Sequence, residues 1–294
     1  MKIRYALYSL APLALLLIAA GIASVLAYFI VLGIGDQFPL RKVISRTTQI
    51  LLILSIWPLM TRLKLTWRDI GFAPPTYFIR QMLVGLGIGL LTLMPVLLTL
   101  WWLDIEVFDA GRAWTLVDAV KALAGALLAA LLISLLEEPL FRGILLTGLA
   151  RKMGVWAAIL LSAFYYAGLH FLKGKSDIPL DRMTVFSGFG LVQEAFANLA
   201  NPEIVSAFAA LFMVGVFLGV MRSEIGQGLG LCIGCHAGWV WQIKMTKKLF
   251  NSNPAADYYW LVSDYDGVIG PLVSGWLLLV VVVVYLMIRR RVQR

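Results

Sequence analysis

The sequence predicts an all-α, polytopic membrane protein with about eight transmembrane helices. Three observations predict it. The chain of 294 residues is 61% hydrophobic and only 14% charged, whereas a soluble globular chain is nearer half apolar and a quarter charged. Its mean hydropathy is +0.88. The apolar residues are gathered into uncharged stretches of bilayer thickness rather than dispersed around one soluble core.

Those stretches run over residues 5–35, 47–61, 81–103, 122–136, 153–172, 204–221, 225–243 and 267–288. A spanning helix needs about 20 apolar residues, and six of the stretches are long enough. The two short ones, 47–61 and 122–136, are flanked by Arg46, Arg62 and Lys121, whose stems can snorkel to the surface. The first stretch follows Lys2 and Arg4 and carries no charge until Asp36. It exceeds the core of a signal peptide, about 7–15 residues, and reads as a retained helix. No internal repeat or low-complexity segment is visible, so residues 1–294 read as one transmembrane domain.

The net charge of +9 sits mostly in short loops and at the C-terminus. That pattern suits anionic lipid headgroups, and no basic tract with interleaved aromatics suggests a nucleic-acid face. An even number of spans puts both termini on one side. With that side cytoplasmic, the inner segments hold 14 Lys and Arg against 11 outside, a lean toward cytoplasmic termini. The longest connection, 173–203, contains a stretch from Met183 to Leu199 that reads equally as a surface helix or as a lid.

The chemistry begins at Glu137-Glu138-Pro139-Leu140-Phe141-Arg142. An ionisable residue inside a membrane segment is costly and marks function by default. Neighbours on a helix point about 100° apart, so the two glutamates divide their roles. Glu138 and Arg142 are spaced i, i+4 with the acid first, the favoured order for an ion pair. Glu137 is left without a local partner. Pro139 either starts a new helix or kinks the existing one. The bland reading makes the glutamates a polar helix end among headgroups.

Only two histidines occur, His170 and His236, and both lie in apolar runs. A carboxylate and two imidazoles can hold zinc with one open position. They can equally activate water directly, with the second imidazole at the oxyanion. The zinc-protease motif H-E-x-x-H is absent.

Glu137-Glu138-x-x-x-Arg142, Tyr166-x-x-x-His170 and His236-Ala237-Gly238-Trp239 resemble, in order, the three motifs of the CAAX protease and bacteriocin-processing family. These proteins are also called glutamic-type intramembrane proteases or abortive-infection-type proteins. The motif-bearing core covers about residues 120–245. The resemblance implies an intramembrane endopeptidase with a conical active-site cavity and no cofactor, zinc remaining the minor alternative. Glu137 would be the general base, His170 would help activate the water, Glu138 and Arg142 would form a structural pair, and His236 would face the oxyanion. The implied partners are a membrane-anchored peptide or protein, cut near its C-terminus, and the bilayer. The implied location is a bacterial inner membrane.

Two positions depart from the family pattern. Tyr166 stands where Phe is usual and adds a hydroxyl that needs a partner. Val240 stands where an Asn is usual, and losing an oxyanion donor costs about 10²–10³ in rate. Trp239, with an indole N–H three residues from His236, is a candidate substitute; Gln242 lies about 240° round the helix and points away. Val240 keeps a non-catalytic scaffold or immunity role open. A transporter would use intramembrane charges too, but it would show a repeated half.

Cys232-Ile233-Gly234-Cys235-His236 also matches the pattern for covalent haem attachment. Gly226, Gly230, Gly234 and Gly238 recur every four residues and define a close-packing face, with His236 on the opposite side. A haem does not fit beside such a face, so the cysteines read as packing and no haem is expected.

Overall fold

The computed structural model describes residues 2–225 and 228–292. Gly226, the first rung of the glycine ladder, and Gln293 and Arg294 of the basic tail lie outside the described residues. Helices dominate: α1 (Lys2–Ile34), α2 (Leu40–Leu54), α3 (Ile56–Leu63), α4 (Pro75–Trp102), α5 (Leu116–Glu138), α6 (Leu146–Ala150), α7 (Val155–Phe171), α8 (Ser187–Ala197), α9 (Val205–Val220), α10 (Leu229–Leu249) and α11 (Pro271–Val292). Strands β1 (Glu106–Phe108) and β2 (Phe250–Ser252) pair antiparallel, Val107 opposite Asn251. This ribbon is too short to stand out from its loops in the sequence.

The fold is all-α and polytopic. Among the described residues, six helical rods are long and apolar enough to cross a membrane. α7 is apolar but has only 17 residues, and α10 carries Lys244, Lys247 and Lys248 in its second half. The count of eight therefore stands at six by length and composition. Two short stretches prove longer as helices. The run at 47–61 belongs to a rod over 40–63 that admits Arg41, Lys42 and Arg46 and breaks at Ser55. The run at 122–136 belongs to a rod over 116–150 that continues straight through Glu137.

Contacts sort the helix ends into two groups. At one end Arg151 Nη1 donates to the Leu63 carbonyl at 2.9 Å, Leu229 N donates to the Gly71 carbonyl at 2.8 Å, and Trp156 meets Tyr285 edge-on at 5.4 Å. Lys152 Nζ lies over the Tyr8 ring there, so the first and last helices share this end. At the other end lie the ribbon, the Arg41–Asp177 ion pair at 2.6 Å, and Tyr265 against Phe171.

The tightest packing joins α4 and α10, and glycine makes it so. A Cβ at Gly234 would collide with the Met82 carbonyl oxygen, one at Gly85 with the Leu231 carbonyl, and one at Gly89 with the Cys235 carbonyl. Gly230 and Gly238 meet Phe78 and Leu86 in the same way. Small residues on both helices let the backbones touch, which is how membrane helices gain dispersion energy where lipid supplies no hydrophobic drive. Cys232 and Cys235 are fully buried and unbridged in this seam.

Candidate active site

Glu137 and Glu138 sit where the rod over 116–150 changes pitch. After Glu138 the helix widens into a π-turn over Pro139–Leu145. Pro139 has no N–H to give, and the wider turn accommodates its ring without ending the rod. The kink alternative is thereby realised as a bulge.

The two carboxylates face different surroundings. The Glu138 and Arg142 side chains are 0% and 1% exposed, whereas Glu137 and His170 are 26% and 20% exposed. Glu138 Oε1 accepts from Arg142 Nη1 at 3.0 Å and from His236 Nδ1 at 2.8 Å. Arg142 also stacks 4.3 Å over the Tyr166 ring, which is itself edge-on to Phe141. This is a sealed, charge-balanced cluster holding α5, α7 and α10 together.

Glu137 opens the other way. Its Oε2 lies 4.0 Å from His170 Nε2 and has no hydrogen-bond partner. His170 Nδ1 sits 2.7 Å from the Tyr166 carbonyl oxygen. A carbonyl only accepts, so Nδ1 carries a proton, and in the neutral ring Nε2 presents its lone pair toward Glu137. By the same logic the carboxylate of Glu138 fixes the proton of His236 on Nδ1, leaving Nε2 free. The His236 and Tyr166 ring centroids are 6.2 Å apart. Three helices thus bring Glu137, Glu138, Arg142, Tyr166, His170 and His236 into one cluster.

The remaining candidates lie around it. The Trp239 indole donates to Thr92 Oγ1 at 2.8 Å and packs on Phe217, so its N–H is engaged with α4. The Gln242 amide donates to the Gly89 and Gly238 carbonyls. Val240, half-buried, offers no donor. The Tyr166 hydroxyl makes no hydrogen bond with a described residue. Among the described residues no three His, Cys, Asp or Glu side chains form a group that could hold a metal ion.

Two residues outside the motifs close on the site. The Tyr265 ring contacts Phe171, next to His170, at 5.2 Å, and Lys173 Nζ lies 5.0 Å over its face. Both come from irregular loops, where no periodicity marks a residue. The stretch read as surface helix or lid contains α8. Its Gly188 packs on Ser24 of α1, and Glu194 accepts from the Lys175 and Ser176 amides at 2.7 and 3.1 Å. Those amides hold the Glu194 carboxyl below its ordinary range.

No curated protein and no solved structure matches the chain. Residues 119–242 match the model of the Rce1-like family, type II CAAX prenyl endopeptidases. That interval contains the paired glutamates, both histidines, Tyr166 and Val240. It supports a membrane protease acting on a membrane-associated substrate. The family that the core of this chain matches is therefore the Rce1-like CAAX endopeptidases, the same protease family that its three motifs resemble.

Proposed function

We propose that the protein is a glutamic-type intramembrane endopeptidase in which Glu137 and His170 activate water. The observation that carries this reading is the 4.0 Å gap between Glu137 Oε2 and the His170 Nε2 lone pair. A water about 2.8 Å from both acceptors would donate one proton to each. Its own lone pair would then point away from them, free to attack.

In this reading Glu137 takes a proton as the water oxygen bonds to the scissile carbonyl carbon. His170 holds the second proton in place. The carbonyl oxygen becomes an oxyanion, which His236 Nε2 can meet with a proton only when its ring is doubly protonated. Glu137 then returns its proton to the leaving amine as the C–N bond breaks. No covalent enzyme intermediate forms. Glu138 and Arg142 aim His236. The substrate is a membrane-anchored peptide, cut near its C-terminus, and the setting is a bacterial inner membrane with both termini cytoplasmic.

The test is cleavage of quenched peptides, with and without a C-terminal prenyl group, by protein in lipid nanodiscs. Removing a general base costs about 10²–10⁴ in rate, so Glu137→Gln should lose at least that at the low end. Unchanged cleavage by Glu137→Gln sinks the reading. Activity that survives chelation separates it from the zinc alternative. The Val240 departure favours a second reading, a non-catalytic scaffold; it gains if Glu137→Gln and His170→Ala both preserve the cellular phenotype.

A further inference from the structure

The site described above has one free imidazole for an oxyanion and a valine at the place of its usual companion. Trp239 is held by Thr92 and Gln242 by two carbonyls, and Arg142, 1% exposed beneath the Tyr166 ring and bonded through Nη1 to Glu138, is sealed away from a substrate. His236 donates from Nε2 only when charged. A second donor, present whatever the charge of His236, must come from another element.

Tyr265 meets the requirements. It lies between β2 and α11, outside the matched residues 119–242. Its ring is pinned from two sides, by Phe171 at 5.2 Å and by the Lys173 ammonium 5.0 Å above its face. Phe171 follows His170 directly, so the ring is fixed to the last turn of the helix that positions the water. The hydroxyl makes no hydrogen bond with a described residue. The Glu137 carboxylate acts on it electrostatically, as Tyr265 in turn acts on Tyr166. Burial, followed by Asp266 and Glu137, pushes the phenol up to about 12, so it stays protonated and able to donate across the working pH range.

We propose that the Tyr265 hydroxyl donates to the oxyanion of the tetrahedral intermediate, in the role that Val240 cannot fill. The inference rests on the endopeptidase reading. It makes a loop residue part of the oxyanion site and explains how the core tolerates valine at position 240.

The test compares wild type, Tyr265→Phe, Tyr166→Phe and Val240→Asn/Tyr265→Phe in nanodiscs. Phenylalanine keeps the contacts with Phe171 and Lys173, so thermal stability should not move. Loss of one oxyanion donor predicts that Tyr265→Phe lowers kcat about 10²–10³-fold with KM within a few-fold. Val240→Asn added to Tyr265→Phe should recover at least tenfold. Turnover by Tyr265→Phe within threefold of wild type, or the whole loss appearing in Tyr166→Phe alone, overturns the proposal. Binding of a peptide phosphinate, a tetrahedral mimic, gives a readout that needs no turnover. Tyr265→Phe should weaken it by a similar factor and leave substrate-peptide binding unchanged; equal phosphinate affinity in both proteins also overturns it. Failure of the endopeptidase reading shows separately, as equal cleavage by wild type and Glu137→Gln.

Discussion

His236 Nδ1 donates to Glu138 Oε1 at 2.8 Å, joining α10 to α5 across 98 residues of sequence. The same oxygen receives Arg142 at 3.0 Å. Glu138 is therefore the hinge of a sealed triad, and its charge matters more than its shape. Removing one partner of a buried pair leaves the other uncompensated, at a cost of about 3–5 kcal/mol. Glu138→Gln should lower the melting temperature by an amount in keeping with that loss, and activity should fall because His236 loses its aim. A melting curve in detergent that matches wild type would contradict the triad.

The glycine seam makes a paired prediction. Gly234→Ala places a methyl group against the Met82 carbonyl and should separate α4 from α10. Gly87, on the same α4, has nothing within 4 Å of an added Cβ. Alanine there should stabilise the helix by about 0.5–1 kcal/mol through lower unfolded-state entropy. Thermal unfolding of the two variants in detergent should move in opposite directions.

Two carboxylates outside the spans respond to pH with opposite signs. Glu194 is held below its ordinary range by the Lys175 and Ser176 amides. Its contribution is full above the unfolded glutamate pKa of about 4.3 and is lost as pH falls through the lower folded value. Glu106 is raised, chiefly by burial, against the hydrogen bond from Ser252. Its ionisation penalises the fold, so the ribbon weakens as pH rises from about 4.3 through the higher folded value. Hydrogen exchange should show loop 173–177 losing protection on acidification and strand 106–108 gaining it. Glu194→Gln should abolish the first response and spare the second.

Trp239 lies within the third motif, yet its indole N–H is bound to Thr92. Trp239→Phe should therefore leave kcat within a few-fold of wild type while costing about 0.5–1.5 kcal/mol of stability from the lost hydrogen bond. A hundredfold fall in kcat at unchanged stability would assign the indole to the oxyanion instead.

Much of the site is visible in the chain because its signals are local. The i, i+4 spacing of Glu138 and Arg142 marks an ion pair on any helix, and the recurrence of Gly230, Gly234 and Gly238 marks a face. Charge at positions 137 and 138 inside an apolar run marks a candidate site, because a bilayer penalises it. Helix ends are less legible. The rod over 40–63 begins well before its uncharged run, since the stems of Arg41 and Lys42 reach the surface from inside a helix.

What the sequence by itself determined is the all-α membrane class, the residues that carry charge and imidazole into the apolar layer, and the face on which α10 packs. These follow from composition and helical period, which act over a few residues. Only the tertiary structure decided that Glu138 is sealed and Glu137 open, that His236 leans on Glu138, that Trp239 is engaged by Thr92, and that Tyr265 folds over the last turn of α7. Those relations join residues far apart in the chain, and their partners are set by how closely whole helices approach. That distance is fixed jointly by the glycines of α4 and α10, and no single segment encodes it.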